Sequence, residues 1–182
     1  MYQLDVFMTQ AVNSLTGAAA LDMVMVWVSA AGVPLLVGLV AVQWWRGDNR
    51  QHVRHTLVAA GLSFLLGLGI NQVLLLFVHR IRPYDIGVSH LLIAPSADWS
   101  FPSDHATASM AIAATFLLHR LPRTGLAFLA AAFVMMFSRV YVGTHYASDV
   151  LGGALTGLLG SVIVWKAYRE GTRADLLVTG IL

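Results

Sequence analysis

Three short clusters in this sequence hold residue types suited to phosphate chemistry. The first is His79-Arg80-Ile81-Arg82-Pro83. The second is Pro102-Ser103-Asp104-His105. The third opens with Ser138-Arg139, continues through His145 and closes at Asp149. A phosphoryl group carries its charge on several oxygens, and arginine offers a planar fork of donors to them. A helix that starts at Ser103 would add free backbone N–H groups and the positive end of its dipole, with the Ser103 hydroxyl in reach. Two histidines, His105 and His145, can divide the roles of nucleophile and general acid. Asp149 follows His145 by four residues, which places both on one helix face. A carboxylate there could accept one imidazole N–H, leave the other nitrogen free to attack, and stabilise the positive ring that forms.

Each residue also has a plainer reading. An arginine at a membrane boundary, such as Arg80, is often an anchor whose stem lies along lipid. Ser103 and Asp104 are ordinary helix caps by type. A His–Asp pair four residues apart is often only a surface hydrogen bond. His79 and His90 read as loop residues, and His52, His55 and His119 as solvated groups at the opposite face. Taken jointly the plain readings weaken, because every arginine expected on one face of the molecule falls inside one of the three clusters.

The elements that must carry these clusters are membrane spans. Only 11% of the 182 residues are charged and 58% are hydrophobic, with a mean hydropathy of +0.73; a soluble domain holds roughly 25% charged residues. A span needs about 20 mostly apolar residues. Five stretches qualify or nearly so: Val24 to Trp45 with Pro34 inside it as an expected kink, Thr56 to Val78, a shorter third from Ser103 to Arg120, Thr124 to Tyr141, and Ala147 to Tyr168. Before them, Leu4, Val6, Phe7, Val12 and Leu15 can form one face of an amphipathic helix lying in the interface. The expectation is an all-α membrane bundle forming a single domain over residues 1–182. Residues 1–21 are its interfacial helix, 24–168 its transmembrane bundle and 169–182 a tail.

Charge sets the orientation. Arg46, Arg50, Arg54, Arg120, Arg123, Lys166, Arg169 and Arg173 fall on one side of a five-span bundle, which should be cytoplasmic. Arg80, Arg82 and Arg139 fall on the other, against the usual bias, and anion binding explains them. The net charge of +2 makes no case for nucleic acid. The absence of cysteine excludes disulfides, thiol catalysis and cysteine metal sites. Residues 1–21 carry no Lys or Arg, so a cleavable signal is not expected.

Pro102-Ser103-Asp104-His105 and the spacing of Ser138-Arg139, His145 and Asp149 resemble the second and third signatures of the type-2 phosphatidic acid phosphatase superfamily. Arg82-Pro83 is similar to the end of its first signature. Within the superfamily the chain most resembles the bacitracin-resistance type of undecaprenyl-diphosphate phosphatase. That likeness rests on Ala97-Asp98-Trp99-Ser100-Phe101 leading into Pro102, on Asn71 and Arg82-Pro83, and on the acidic Asp104. The superfamily's first signature opens with a lysine where this chain has Leu75, a departure that fits this branch; Arg80 is the candidate replacement.

The resemblance implies a metal-independent lipid phosphatase, without cofactors, at the outer face of the cytoplasmic membrane. His145 would attack phosphorus and become phosphohistidine, Asp149 would orient it, and His105 would protonate the leaving oxygen and then activate water. Arg82, Arg139, Ser103 and Arg80, with the amides of Asp104 and His105, would hold the phosphate. Asp85 and Asp98 keep a metal question open. The expected substrate is undecaprenyl diphosphate, with phosphatidic acid, phosphatidylglycerol phosphate or another prenyl phosphate as the alternative. A transporter or scramblase that binds headgroups without chemistry has no need of the His–Asp pair.

Overall fold

Apolar segments removed from water must satisfy their backbone groups internally, which long runs of Leu, Val, Ala and Gly do as helices. The computed structural model describes residues 2–45 and 49–180. Its helices are α1 (Tyr2–Asn13), α2 (Ala19–Ala41), α3 (Arg50–Leu75), α4 (Asp104–Leu118), α5 (Pro122–Tyr141), α6 (Ala147–Ala167) and α7 (Arg173–Thr179). No strand occurs among the described residues. Arg46 of the charge argument lies outside them. The protein is thus the all-α membrane bundle expected. Four segments are long and apolar enough to cross a membrane: Ala19–Trp45, Arg50–Leu75, Pro122–Tyr141 and Ala147–Ala167.

α4, at 15 residues, is shorter than a lipid-exposed span requires. It still traverses the bundle. Asp104 lies at one end, and at the other the His119 carbonyl accepts a hydrogen bond from His52 Nε2, near the start of α3, at 2.8 Å. α3, α5 and α6 pack around it, so its residues from Ala106 to Ser109 and Ala111 to Phe116 are buried in protein rather than lipid. Toward the α7 end, Leu36, Leu57, Ile112, Phe116 and Phe128 form one apolar cluster; Ala106, Met136, Val140 and Val150 form a second beneath the three sequence clusters.

Close approach of α6 to α4 depends on glycine. A Cβ at Gly153 or Gly157 would stand 2.3 Å from the carbonyl oxygen of Ser103 or Thr107. Hydroxyl and amide pairs stitch the same interfaces: Thr107 to Thr156 at 3.0 Å, Thr115 to Ser63 at 3.0 Å, and Asn71 Nδ2 to Thr107 Oγ1 at 2.8 Å. Such bonds are a usual link between helices where no water competes.

Several boundaries differ from expectation. α2 begins at Ala19 rather than Val24 and continues on both sides of Pro34. α3 begins at Arg50, before the expected Thr56, because its polar first turns find partners in the C-terminal segment, which folds back as α7. Arg54 Nη1 donates to the Thr179 carbonyl at 2.9 Å, and His55 Nδ1 donates to Asp175 at 2.8 Å. His55 and His119, both expected to be solvated, are buried, His119 with its Nδ1 on the Thr115 carbonyl. α1 forms but ends at Asn13, short of the expected 1–21, and α2 already begins at Ala19. The polar stripe of α1 faces the protein: Thr9 accepts from the Ala147 N–H at 3.1 Å and Asn13 donates to the Tyr141 carbonyl at 2.8 Å. Of the expected apolar face, Leu4 and Phe7 point away from the protein, the orientation that suits a helix lying against lipid, whereas Val12 packs against the cluster of Ala106, Met136, Val140 and Val150 and Leu15 lies beyond the helix end.

Candidate active site

The three clusters meet at one end of the bundle because α3, α4, α5 and α6 alternate in direction. The Arg82 segment follows α3, His105 lies in the first turn of α4, Arg139 ends α5, and His145 lies in the turn before α6. Arg82, Asp98, Trp99, Pro102, Asp104, His105, Arg139 and His145 line a cavity of about 110 Å³, with Leu75 and Ser96 completing its wall. Leu75, at the position of the family lysine, thus meets the cavity as an apolar group.

His145 is almost fully buried. Its Nδ1 is 2.7 Å from the Ser100 carbonyl oxygen. A carbonyl only accepts, so Nδ1 carries the proton and Nε2 is the free nitrogen when the ring is neutral. Nε2 stands 3.5 Å from Arg82 Nη1. Burial holds the imidazole below its usual pKa, and the charges of Arg139 and Arg82 push the same way while Asp149 opposes them. The ring is therefore neutral at neutral pH and carries a lone pair.

Asp149 does not hydrogen-bond His145 in the way spacing suggests. Its Oδ2 lies 3.7 Å from Nδ1, which is too long for a hydrogen bond. It instead accepts from Ser100 Oγ at 2.5 Å and the Tyr146 N–H at 2.9 Å, while Oδ1 accepts from Arg80 at 2.6 Å. Ser100 therefore bridges the pair, its carbonyl on the imidazole and its hydroxyl on the carboxylate. The carboxylate faces the ring as a fixed charge.

Arg82 is held by Thr144 and by Asp98. Its Nη1 donates to the Thr144 carbonyl at 2.8 Å, and its Nη2 to Asp98 Oδ1 at 2.8 Å. Arg139 donates through Nη1 to the Ser29 hydroxyl of α2. Its Nε and the Ser103 hydroxyl are buried without a hydrogen-bond partner among the described residues. Ser103 occupies the N-cap position of α4, yet its side chain makes no capping bond. A buried donor left unpaired is costly, and a phosphate oxygen would satisfy both. Asp104 turns toward Asn71, whose Nδ2 donates to it at 2.6 Å. Arg80 is engaged by Asp5, Ser148 and Asp149 and does not line the cavity. His79 lies against Trp99 with the rings tilted by 39° and their centres 5.0 Å apart, and the His90 side chain is exposed.

Ser100, Thr144, Asn71 and Asp5 carry no role in the sequence reading. Ser100 and Asn71 stand in its quoted motifs, but their partners are 49 and 33 residues away. Among the described residues no group of three or more His, Asp or Glu is arranged to hold a metal ion; Asp98 pairs with Arg82.

A helical membrane bundle with two histidines, two arginines and a helix N-terminus around one small cavity is an arrangement suited to phosphate chemistry at a membrane. The PAP2 superfamily model matches residues 56–173, and the chain belongs to that superfamily. It is 33% identical over 141 residues to undecaprenyl-diphosphatase BcrC of Bacillus subtilis, covering 78% of this chain and 72% of that protein. It is 36% identical over 139 residues to the putative undecaprenyl-diphosphatase YbjG of Escherichia coli, covering 74% and 67%. The crystal structure of a transmembrane PAP2-type phosphatidylglycerolphosphate phosphatase from Bacillus subtilis superposes with a TM-score of 0.69 at 25% identity, covering 94% of this chain and 88% of that one. The protein is a multi-pass membrane lipid phosphatase of the PAP2 family.

Proposed function

We propose that the protein hydrolyses undecaprenyl diphosphate to undecaprenyl phosphate and inorganic phosphate, at the outer face of the cytoplasmic membrane, returning a lipid carrier for cell-wall synthesis. The observation that carries the chemistry is His145, whose Nδ1 is committed to the Ser100 carbonyl while Nε2 meets the cavity beside Arg82. Nε2 attacks the terminal phosphorus and an N–P bond forms. The P–O bond to the departing lipid phosphate breaks, and His105, which enters the step as imidazolium beside the bound anionic substrate, gives its proton to the departing oxygen and becomes neutral. His105 then takes a proton from water, whose oxygen attacks the phosphohistidine. The N–P bond breaks, phosphate leaves and His145 is restored. Arg82, Arg139, Ser103 and the amides at the start of α4 hold the equatorial oxygens, where preorganised donors are most effective. The Asp149 charge stabilises the imidazolium.

The likeness to undecaprenyl-diphosphatase BcrC and to the putative undecaprenyl-diphosphatase YbjG supports the lipid class. An apolar groove of about 370 Å³ between α2 and α5, lined by residues including Val28, Gly32 and Met135, supports a long tail. Met135 is one helical turn from Arg139, and Val28 adjoins Ser29, so the groove opens next to the phosphate site. The likeness to the phosphatidylglycerolphosphate phosphatase favours a second reading, a broader lipid phosphatase. Phosphate release by purified protein in EDTA, from undecaprenyl diphosphate, phosphatidic acid and phosphatidylglycerol phosphate, separates them. Strong preference for the prenyl diphosphate is expected. Equal or faster turnover of the glycerol lipids would replace the first reading with the second, and loss of activity in EDTA would refute the metal-independent route.

A further inference from the structure

Arg80 links the N-terminal helix to the carboxylate beneath His145. Its Nη2 donates to Asp5 Oδ2 at 2.5 Å, and its Nη1 donates to Asp149 Oδ1 at 2.6 Å and Ser148 Oγ at 2.6 Å. The guanidinium carbon lies 3.8 Å from the centre of the Tyr146 ring. Asp5 also accepts from the Ser148 N–H at 2.8 Å and its hydroxyl at 2.6 Å. One planar fork therefore joins two carboxylates from opposite ends of the chain, a geometry that the point charge of a lysine does not reproduce.

We infer that Asp5 and Arg80 are positioning residues for catalysis: Asp5, carried by α1, aims the Arg80 guanidinium, and Arg80 fixes the Asp149 carboxylate under the imidazole. Asp149 makes no hydrogen bond to His145, so its value to the ring depends on where its charge is held. Arg80, Ser100 and the Tyr146 N–H take both carboxylate oxygens and remove its freedom to rotate. Arg80 does not cancel that charge, because it is shared with Asp5; two carboxylates face one guanidinium and a net negative charge remains. Burial works against ionisation of Asp5, but hydrogen bonds from Ser148 and Arg80 outweigh it and hold its pKa below the ordinary value. Docking of α1 has separate anchors in Thr9 and Asn13, so the Asp5 contact is not needed to seat the helix. α1 is then part of the catalytic apparatus as well as a membrane-surface element.

The inference rests on the reading of Asp149 as the charge that supports His145. The test uses full-length protein in detergent with Asp5→Asn, Arg80→Lys, Arg80→Gln, the Asp5→Asn/Arg80→Gln double variant and Asp149→Asn. Each is assayed on whichever lipid phosphate the wild type hydrolyses fastest, so a wrong substrate assignment does not enter the result. The readouts are kcat, KM, inhibition by inorganic phosphate and thermal midpoint. The expected result is a fall in kcat of about tenfold or more for Asp5→Asn and a larger fall for Arg80→Gln, with partial rescue by Arg80→Lys. KM and the phosphate inhibition constant stay within about threefold. Asp5→Asn costs little more once Arg80 is gone, because the two act through one chain of contacts.

Loss of phosphate inhibition and a raised KM in Arg80→Gln, at preserved kcat, would make Arg80 a phosphate ligand and overturn the inference. So would multiplicative effects of the two substitutions, or a lowered thermal midpoint with unchanged kcat in Asp5→Asn. Wild-type kcat in Asp149→Asn would remove the underlying reading and the relay with it.

Discussion

At the scale of residues, chemistry turns on which nitrogen of His145 is free. The Ser100 carbonyl fixes the proton on Nδ1, and this contact belongs to the backbone. Ser100→Ala therefore leaves the tautomer intact and removes only the hydroxyl bond to Asp149. A hydrogen bond to a charged group is worth about 1.5–3 kcal/mol, so kcat should drop by roughly ten- to a hundredfold. Asp149→Asn removes the charge itself and should lower kcat by about 10²–10³-fold, with binding of inorganic phosphate retained. Steady-state kinetics on both variants checks the order; a greater loss in Ser100→Ala than in Asp149→Asn would contradict it. Because burial and the neighbouring arginines depress His145, its contribution to rate should persist below pH ~6.5, the ordinary imidazole value. A pH–rate profile whose acid limb lies well above that value would contradict a neutral, buried nucleophile.

The sequence contained His105, His145, Arg82 and Arg139 in readable form as residues of one cavity, because their types and local spacing suit phosphate chemistry. It did not show that Asp149 stands 3.7 Å from the imidazole without a hydrogen bond, since spacing of four predicts a shared face and not which acceptor wins the N–H. Nor did it show that Arg80 turns away from the cavity, because its partner Asp5 lies 75 residues away.

At the scale of elements, α4 is the part that places the site. It carries Ser103 and His105 at its start and is wrapped by three longer helices. The α4–α6 contact has no room for a side chain at Gly157, where an added Cβ would meet the Thr107 backbone oxygen at 2.3 Å. Gly157→Val should cost at least about 1–3 kcal/mol through overpacking. It would be read as a lower thermal midpoint, with Leu155→Ala on the exposed face as a neutral control. Helices α2 to α6 were legible from hydropathy to within a few residues at most ends, because lipid demands long apolar runs. The short C-terminal helix α7 was not, because seven residues carry no clear period and its stability comes from Asp175. Burial disfavours the Asp175 carboxylate, but hydrogen bonds from Tyr168, His55 and the Gly171 N–H outweigh this and depress its pKa. Asp175→Ala should speed amide exchange across residues 173–179 while kcat stays within about twofold, since α7 lies at the far end of the bundle from the cavity. A large loss of activity would show that α7 reaches the site in a way its contacts do not indicate.

At the scale of the whole molecule, charge and chemistry divide between two faces. Arg50, Arg54, Arg120, Arg123, Lys166, Arg169 and Arg173 lie toward the α7 end; Arg82 and Arg139 line the cavity, and Arg80 lies at the same end of the bundle, held by Asp5, Ser148 and Asp149. The proposed orientation, with the cavity outside, follows the positive-inside bias. The chain has no cysteine, so single replacements report topology cleanly. With Asp85→Cys and Arg123→Cys, an impermeant thiol reagent on intact cells should label only the first; labelling only the second would invert the orientation.

In the proposed reaction His145 carries the phosphoryl group. The direct measurement is an alkaline quench of enzyme turning over undecaprenyl diphosphate radiolabelled on its terminal phosphorus, followed by mapping of labelled peptides. The expected result is acid-labile label on the peptide holding His145, absent from His145→Ala. Label on His105 instead, or undiminished turnover by His145→Ala, would contradict the account.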